Sequence, residues 1–228
     1  MKRGITILAI VTVLLLSYAL YGALIGAPTE RTMGDVQRIF YYHVPSAWTA
    51  FLLFLINFIA SIIYLIRRSI KADILALVSA EVGVVFCTVV LVTGPIWARP
   101  VWGIWWAAGD IRLTTTLVLW LIYVSYLVLR RLSTSGQTPK IAAVLAIFGA
   151  LDVPLVYFSI RFFRTQHPSP VIGAGGSLDP LMGQVLLINW AAFLCLAWLV
   201  CWTRYRLEVA QREVEEAQAL ESLLEGSR

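Results

Sequence analysis

Long apolar runs separated by short charged segments organise the 228-residue chain. Six of the runs are of helix length: Ile5 to Ile25, Ala47 to Ile66, Ile74 to Gly94, Leu113 to Leu129, Ile141 to Ile160 and Leu181 to Thr203. Each is close to the ~20 apolar residues that cross a bilayer core as a helix. The runs are continuous rather than alternating, which excludes a membrane β-barrel. The first run follows Met1, Lys2 and Arg3 and exceeds the ~7–15-residue core of a signal peptide, without an A-x-A site, so it reads as an uncleaved span. The pattern predicts an all-α integral membrane protein with six transmembrane helices in residues 1–203 and a separate tail, 204–228.

Charge gives the spans an orientation. Lys2 and Arg3, then Arg67, Arg68 and Lys71, then Arg130, Arg131 and Lys140, and finally Arg204, Arg206, Arg212 and Arg228 lie on one side. They make up twelve of the eighteen basic residues, so the positive-inside rule predicts that both termini are cytoplasmic. The six others, Arg31, Arg38, Arg99, Arg112, Arg161 and Arg164, fall in the outer loops together with both histidines. Chemistry is therefore expected outside.

Composition agrees with this reading and removes several function classes. The chain is 60% hydrophobic and 14% charged, against roughly 25% charged in a soluble domain. The net charge of +5 comes from basic residues flanking spans, so it points to a lipid bilayer and not to nucleic acid. Cys87, Cys195 and Cys201 lie in apolar runs, with no CxxC or CxxCH, which argues against thiol redox work and covalent haem attachment. No Walker A, GxSxG, HExxH or dinucleotide fingerprint occurs, so neither ATP use nor hydrolysis is indicated.

The second outer loop, GPIWARPVWGIWWAAGDIRLT, is the most unusual stretch. Trp102, Trp105 and Trp106 stand at i, i+3 and i+4 and would share one face of a helix, while Pro95, Pro100, Gly103 and Gly109 divide the stretch into short pieces. Composition leaves two readings open for Trp97 and this cluster: an interfacial aromatic belt, or a shelf for a flat hydrophobic ligand. His43 and His167, the only histidines, lie in the two other outer loops. Each alone reads as an ordinary loop residue, but two imidazoles approaching from opposite sides can fill both axial positions of a haem. Arginine pairs bidentately with carboxylates, and Arg99 and Arg112 flank the tryptophans as candidates for propionate contacts.

Three polar residues fall inside spans. Interhelical hydrogen bonding is the favoured reading for Glu81 and Asn57. Asp152 stands two residues before Pro154, where a kink is expected. In the tail, Leu207, Ala210, Val214 and Ala217, continued by Leu220 and Leu224, form an apolar stripe on an otherwise acidic helix. That helix is either a solvated extension or a docking surface.

The string WGIWWAAGDIRLT resembles the WWD motif of membrane proteins that handle haem during cytochrome c maturation. With six spans, FYYHVPSAW before span two and LDVPLVYFSIRFFRTQH leaving span five, the chain is similar to the CcmC subgroup. The resemblance implies a non-enzymatic role: haem b, bound non-covalently, is presented at the outer face of the bacterial inner membrane and passed to the haem chaperone CcmE. It implies His43 and His167 as axial iron ligands, and Trp97, Trp102, Trp105, Trp106 and Asp110 as the cradle of the macrocycle. It also implies CcmD and the ABC-type pair CcmA and CcmB as partners. Phe162 and Phe163 replace the paired tryptophans usual after span five, and Pro168 follows His167. The alternatives are a membrane transporter of another substrate, a transmembrane electron carrier, or a WWD haem handler of the other maturation system.

Overall fold

The computed structural model describes residues 2–133, 135–163, 167 and 178–226. Arg164, most of the third outer loop and Arg228 lie outside the described residues. The described residues form seven α-helices: α1 (Lys2–Tyr21), α2 (Phe40–Arg67), α3 (Ile70–Trp102), α4 (Ile111–Leu132), α5 (Thr138–Ala150), α6 (Asp152–Phe162) and α7 (Pro180–Gly226). Six helical segments are long and apolar enough to cross a membrane, with Thr138–Phe162 counting as one. The chain is an all-α membrane protein, as the apolar runs predict.

Two boundaries differ from the sequence expectation, and both differences shape the site. α2 starts at Phe40 instead of Ala47, after a 3-10 turn at Asp35–Ile39, so His43 is helical and not in a loop. α3 continues through Pro95 and Pro100 to Trp102, where Gly103 takes a left-handed conformation (φ 77°) and ends it. The expected division at the prolines does not occur. Because the helix stops at Trp102, Trp105 and Trp106 do not share a helical face with it.

Pro154 has no N–H to offer the Ala150 carbonyl, and the regular helix is interrupted at the single residue Leu151, which keeps helical torsions (φ −67°, ψ −23°), between α5 and α6.

α2 runs antiparallel to α3 and makes the most extensive contact in the bundle, while α1 packs on α7. The core brings Ala50, Ala80, Ala142 and Ala146 together with the rings of Phe54, Tyr123 and Tyr126. Phe54 lies parallel to Tyr123 with centroids 3.8 Å apart. Gly83 permits this approach, because a Cβ there would lie 2.7 Å from Phe54 Cε1. The ring cannot retreat from its stack, so Gly83→Ala is expected to lower stability by about 1–3 kcal/mol. Thermal unfolding in detergent measures this, with Gly136→Ala, which meets nothing within 4 Å, as the neutral control.

The polar residues inside the spans are paired across helices. Asn57 Nδ2 donates to the Ala76 carbonyl at 2.7 Å. Arg204 on α7 donates to Glu81 on α3, with Nε 2.8 Å from Oε2. Around them runs a chain of ion pairs: Arg204 and Arg212 both bond Glu208, Arg212 also bonds Asp73, and Arg130 grips Asp73 with two nitrogens. The tail therefore begins as an unbroken continuation of α7, and Arg204 and Arg212 fasten its first turns to Glu81 and Asp73 of α3. Asp152, by contrast, is buried with Oδ2 unpaired among the described residues.

Candidate functional site

At the end of the bundle opposite the ion pairs, α2, α4 and α7 begin while α3 and α6 finish. Their ends surround a cavity of about 850 Å³, inside the ~300–1,000 Å³ range typical of small-molecule and cofactor sites. His43, on the first turns of α2, and His167, beyond α6, both line it. Their ring centroids are 6.4 Å apart and the planes differ by 33°. Two imidazoles bound to one metal at ~2 Å per bond place their ring centres about 6 Å apart. The pair therefore has the separation of a two-sided axial site.

Trp97 and Trp102, on the last turns of α3, also line the cavity and meet edge to face with centroids 5.2 Å apart. Trp106 joins both histidines and Arg112 around a smaller recess of about 40 Å³. Arg112 borders both spaces. Three predicted residues are placed elsewhere. Trp105 is 59% exposed and lines neither space. Arg99 is exposed and turns back to the Gly103 carbonyl that ends its own helix. Asp110 is buried as the N-cap of α4, accepting from Leu113 N at 3.1 Å, so it fixes where Arg112 emerges without lining the cavity.

Residues not singled out from the sequence complete the walls. Arg31, Arg161, Trp48 and Tyr157 all line the cavity. Tyr157 and Arg161 stand at i and i+4 on α6, a helical spacing that would have brought them to one face. Arg38 has a structural task instead, donating to the Ala23 and Ala27 carbonyls at the end of the first span and to Asp35. At the rim, Glu30 accepts the backbone N–H groups of Met33 and Thr32, which hold its carboxyl below the usual range and keep it anionic beside Arg31.

The arrangement selects among ligand chemistries. Among the described residues, no group of three or more His, Cys, Asp or Glu side chains could hold a bare metal ion. A metal seated between His43 and His167 would have to bring its remaining ligands with it, as the iron of a porphyrin does. Indole walls suit a flat apolar disc, and arginines suit its carboxylates.

The sequence profile of the family described as "Heme exporter protein C" (CcmC) matches residues 1–220. The chain belongs to the CcmC family. CcmC relatives include the "Heme exporter protein C" of Bradyrhizobium diazoefficiens, 34% identical over 218 residues, covering 94% of this chain and 82% of the relative. The Escherichia coli K12 protein of the same description is 30% identical over 222 residues, 97% of this chain and 90% of that one. A "putative cytochrome c biosynthesis ccmC-like mitochondrial protein" of Marchantia polymorpha is 30% identical over 183 residues, 80% of this chain and 78% of the relative. CcmC membership supports a role in haem handling for cytochrome c maturation, in a multi-pass membrane protein of a haem-exporter system.

Proposed function

We propose that this CcmC protein holds haem b non-covalently, with His43 and His167 as axial ligands, and delivers it to the membrane-anchored chaperone CcmE. The observation that carries the reading is the 6.4 Å separation of the two imidazoles at the wall of the 850 Å³ cavity. Trp97 and Trp102 cover the macrocycle, Trp106 closes the recess at the histidines, and Arg112, with Arg31 and Arg161, faces the propionates. Arg99, Trp105 and Asp110 receive no haem contact in this reading. The absence of CxxCH keeps the ligation exchangeable, which delivery requires.

The basic flanks support a bacterial inner-membrane orientation with this cavity on the periplasmic side. CcmD and the ABC-type pair CcmA and CcmB are the expected neighbours, supplying the ATP-driven step for which this chain has no motif. A transporter needs polar groups free to line a path through the spans; Glu81, an acidic residue inside a span, is engaged by Arg204, which weakens that alternative.

Haem-loaded protein is expected to show a low-spin, six-coordinate spectrum with two nitrogen ligands, and to lose that haem to the purified soluble domain of CcmE on mixing. A five-coordinate, high-spin spectrum would overturn the axial assignment. Haem retained through an excess of acceptor, with its partner proteins present, would overturn delivery.

A further inference from the structure

The hydroxyl of Thr93, on α3, meets one ring nitrogen of His43. A threonine hydroxyl has one proton to donate and lone pairs to accept. Thr93 Oγ1 lies 2.6 Å from the carbonyl oxygen of Val89, one turn earlier on α3, and 3.4 Å from that of Val90. A carbonyl can only accept, so the hydroxyl proton is committed to the helix backbone. The same Oγ1 lies 2.9 Å from Nδ1 of His43 on α2. With its proton spent, the oxygen must act as acceptor there, and Nδ1 must carry the hydrogen. A neutral imidazole has a single N–H, so Nε2 keeps its lone pair.

The surroundings of the ring point the same way. A Cβ placed on Gly94 would lie 3.6 Å from His43 Cε1, so the Nδ1–Cε1 edge of the imidazole rests on α3 at Thr93 and Gly94. The remaining edge is the one left for the cavity that His43 lines.

We propose that Thr93 is a positioning residue for haem. It locks His43 as the Nδ1–H tautomer, turns Nε2 towards the iron and, by accepting the N–H, raises the donor strength of the ring. This rests on the reading of His43 as an axial ligand. Partners of this kind orient metal-bound histidines in general, and removing one typically costs ~10–100-fold in affinity.

Thr93→Val keeps the branched shape and removes the acceptor. Its haem dissociation rate into an excess of apomyoglobin is expected to rise about 10–100-fold, and the midpoint potential of the bound iron to move upward, because a weaker donor stabilises the ferric state less. Thr93→Ser, which can still donate to the backbone and accept from Nδ1, is expected to restore both quantities. His43→Ala is measured alongside.

A Thr93→Val protein with unchanged rate and potential, while His43→Ala turns five-coordinate and high-spin, overturns the inference and leaves the axial reading standing. Retention of a low-spin, six-coordinate haem by His43→Ala brings down the axial reading itself. Equal loss in Thr93→Val and Thr93→Ser overturns the inference in favour of a packing effect. Should Thr93→Val fail to fold, Thr93→Ala against Thr93→Ser reads the same contrast through a smaller side chain.

Discussion

Haem affinity is expected to fall by more than about 100-fold when His43→Ala and His167→Ala are combined, since even losing a partner behind a metal ligand costs ~10–100-fold. The two rings stand 6.4 Å apart on separate parts of the chain, so neither can take over the position of the other. Each single substitution should leave a five-coordinate, high-spin iron held by one imidazole, the indoles and the arginines. Free imidazole added to a single variant should refill the vacated space and bring back the low-spin spectrum. The double variant should lose the Soret band on gel filtration. Full retention of haem by that double variant would rule out ligation by these residues. Trp105→Ala, whose ring is exposed, provides the comparison for a tryptophan outside the cavity.

The second large effect is expected far from haem. Asp73 accepts from Nη1 and Nη2 of Arg130, the latter at 2.8 Å, and from Nη2 of Arg212 at 2.9 Å. The side chains of Asp73 and Arg130 are 4% and 9% exposed. Asp73→Ala leaves Arg130 buried without a counter-charge and unfastens Arg212, and removing one member of a buried pair costs about 3–5 kcal/mol. The melting temperature in detergent should drop accordingly. Replacing both partners, Asp73→Leu with Arg130→Met, should cost less, because no isolated charge remains. Haem affinity of the folded fraction should be unaffected in either case. Asp73 lies about 30 Å along α3 from Thr93 at 1.5 Å per residue. A haem defect equal to that of His43→Ala would contradict this separation of roles.

The six spans were legible in the sequence because bilayer thickness imposes a length on apolar runs, and that signal is local. The ends of α2 and α3 were not, for the same reason. Hydropathy falls at FYYH and at PIWARPVW as aromatic and basic residues enter, yet the backbone stays helical past the point where the apolar run stops. Gly103 then removes the shared face that the i, i+3, i+4 tryptophans would have had. Residue type identified arginine as the outer cation but carried no direction: Arg99 turns to its own helix end while Arg161 reaches the cavity. The pairings that matter most were beyond any periodicity. His43 meets Thr93 across 50 residues, and Asp73 meets Arg212 across 139.

The length of α3 has a consequence for exchange. Its 33 residues extend about 50 Å, well over the ~30 Å of hydrocarbon in a bilayer. The charged cluster at Asp73 belongs at one edge of that hydrocarbon, and Trp97 stands about 36 Å further along the axis. An upright α3 with Asp73 at that edge would carry the indole pair to the headgroup layer on the other side. A ligand resting there would be within reach of a water-soluble domain, the position that the proposed hand-over requires.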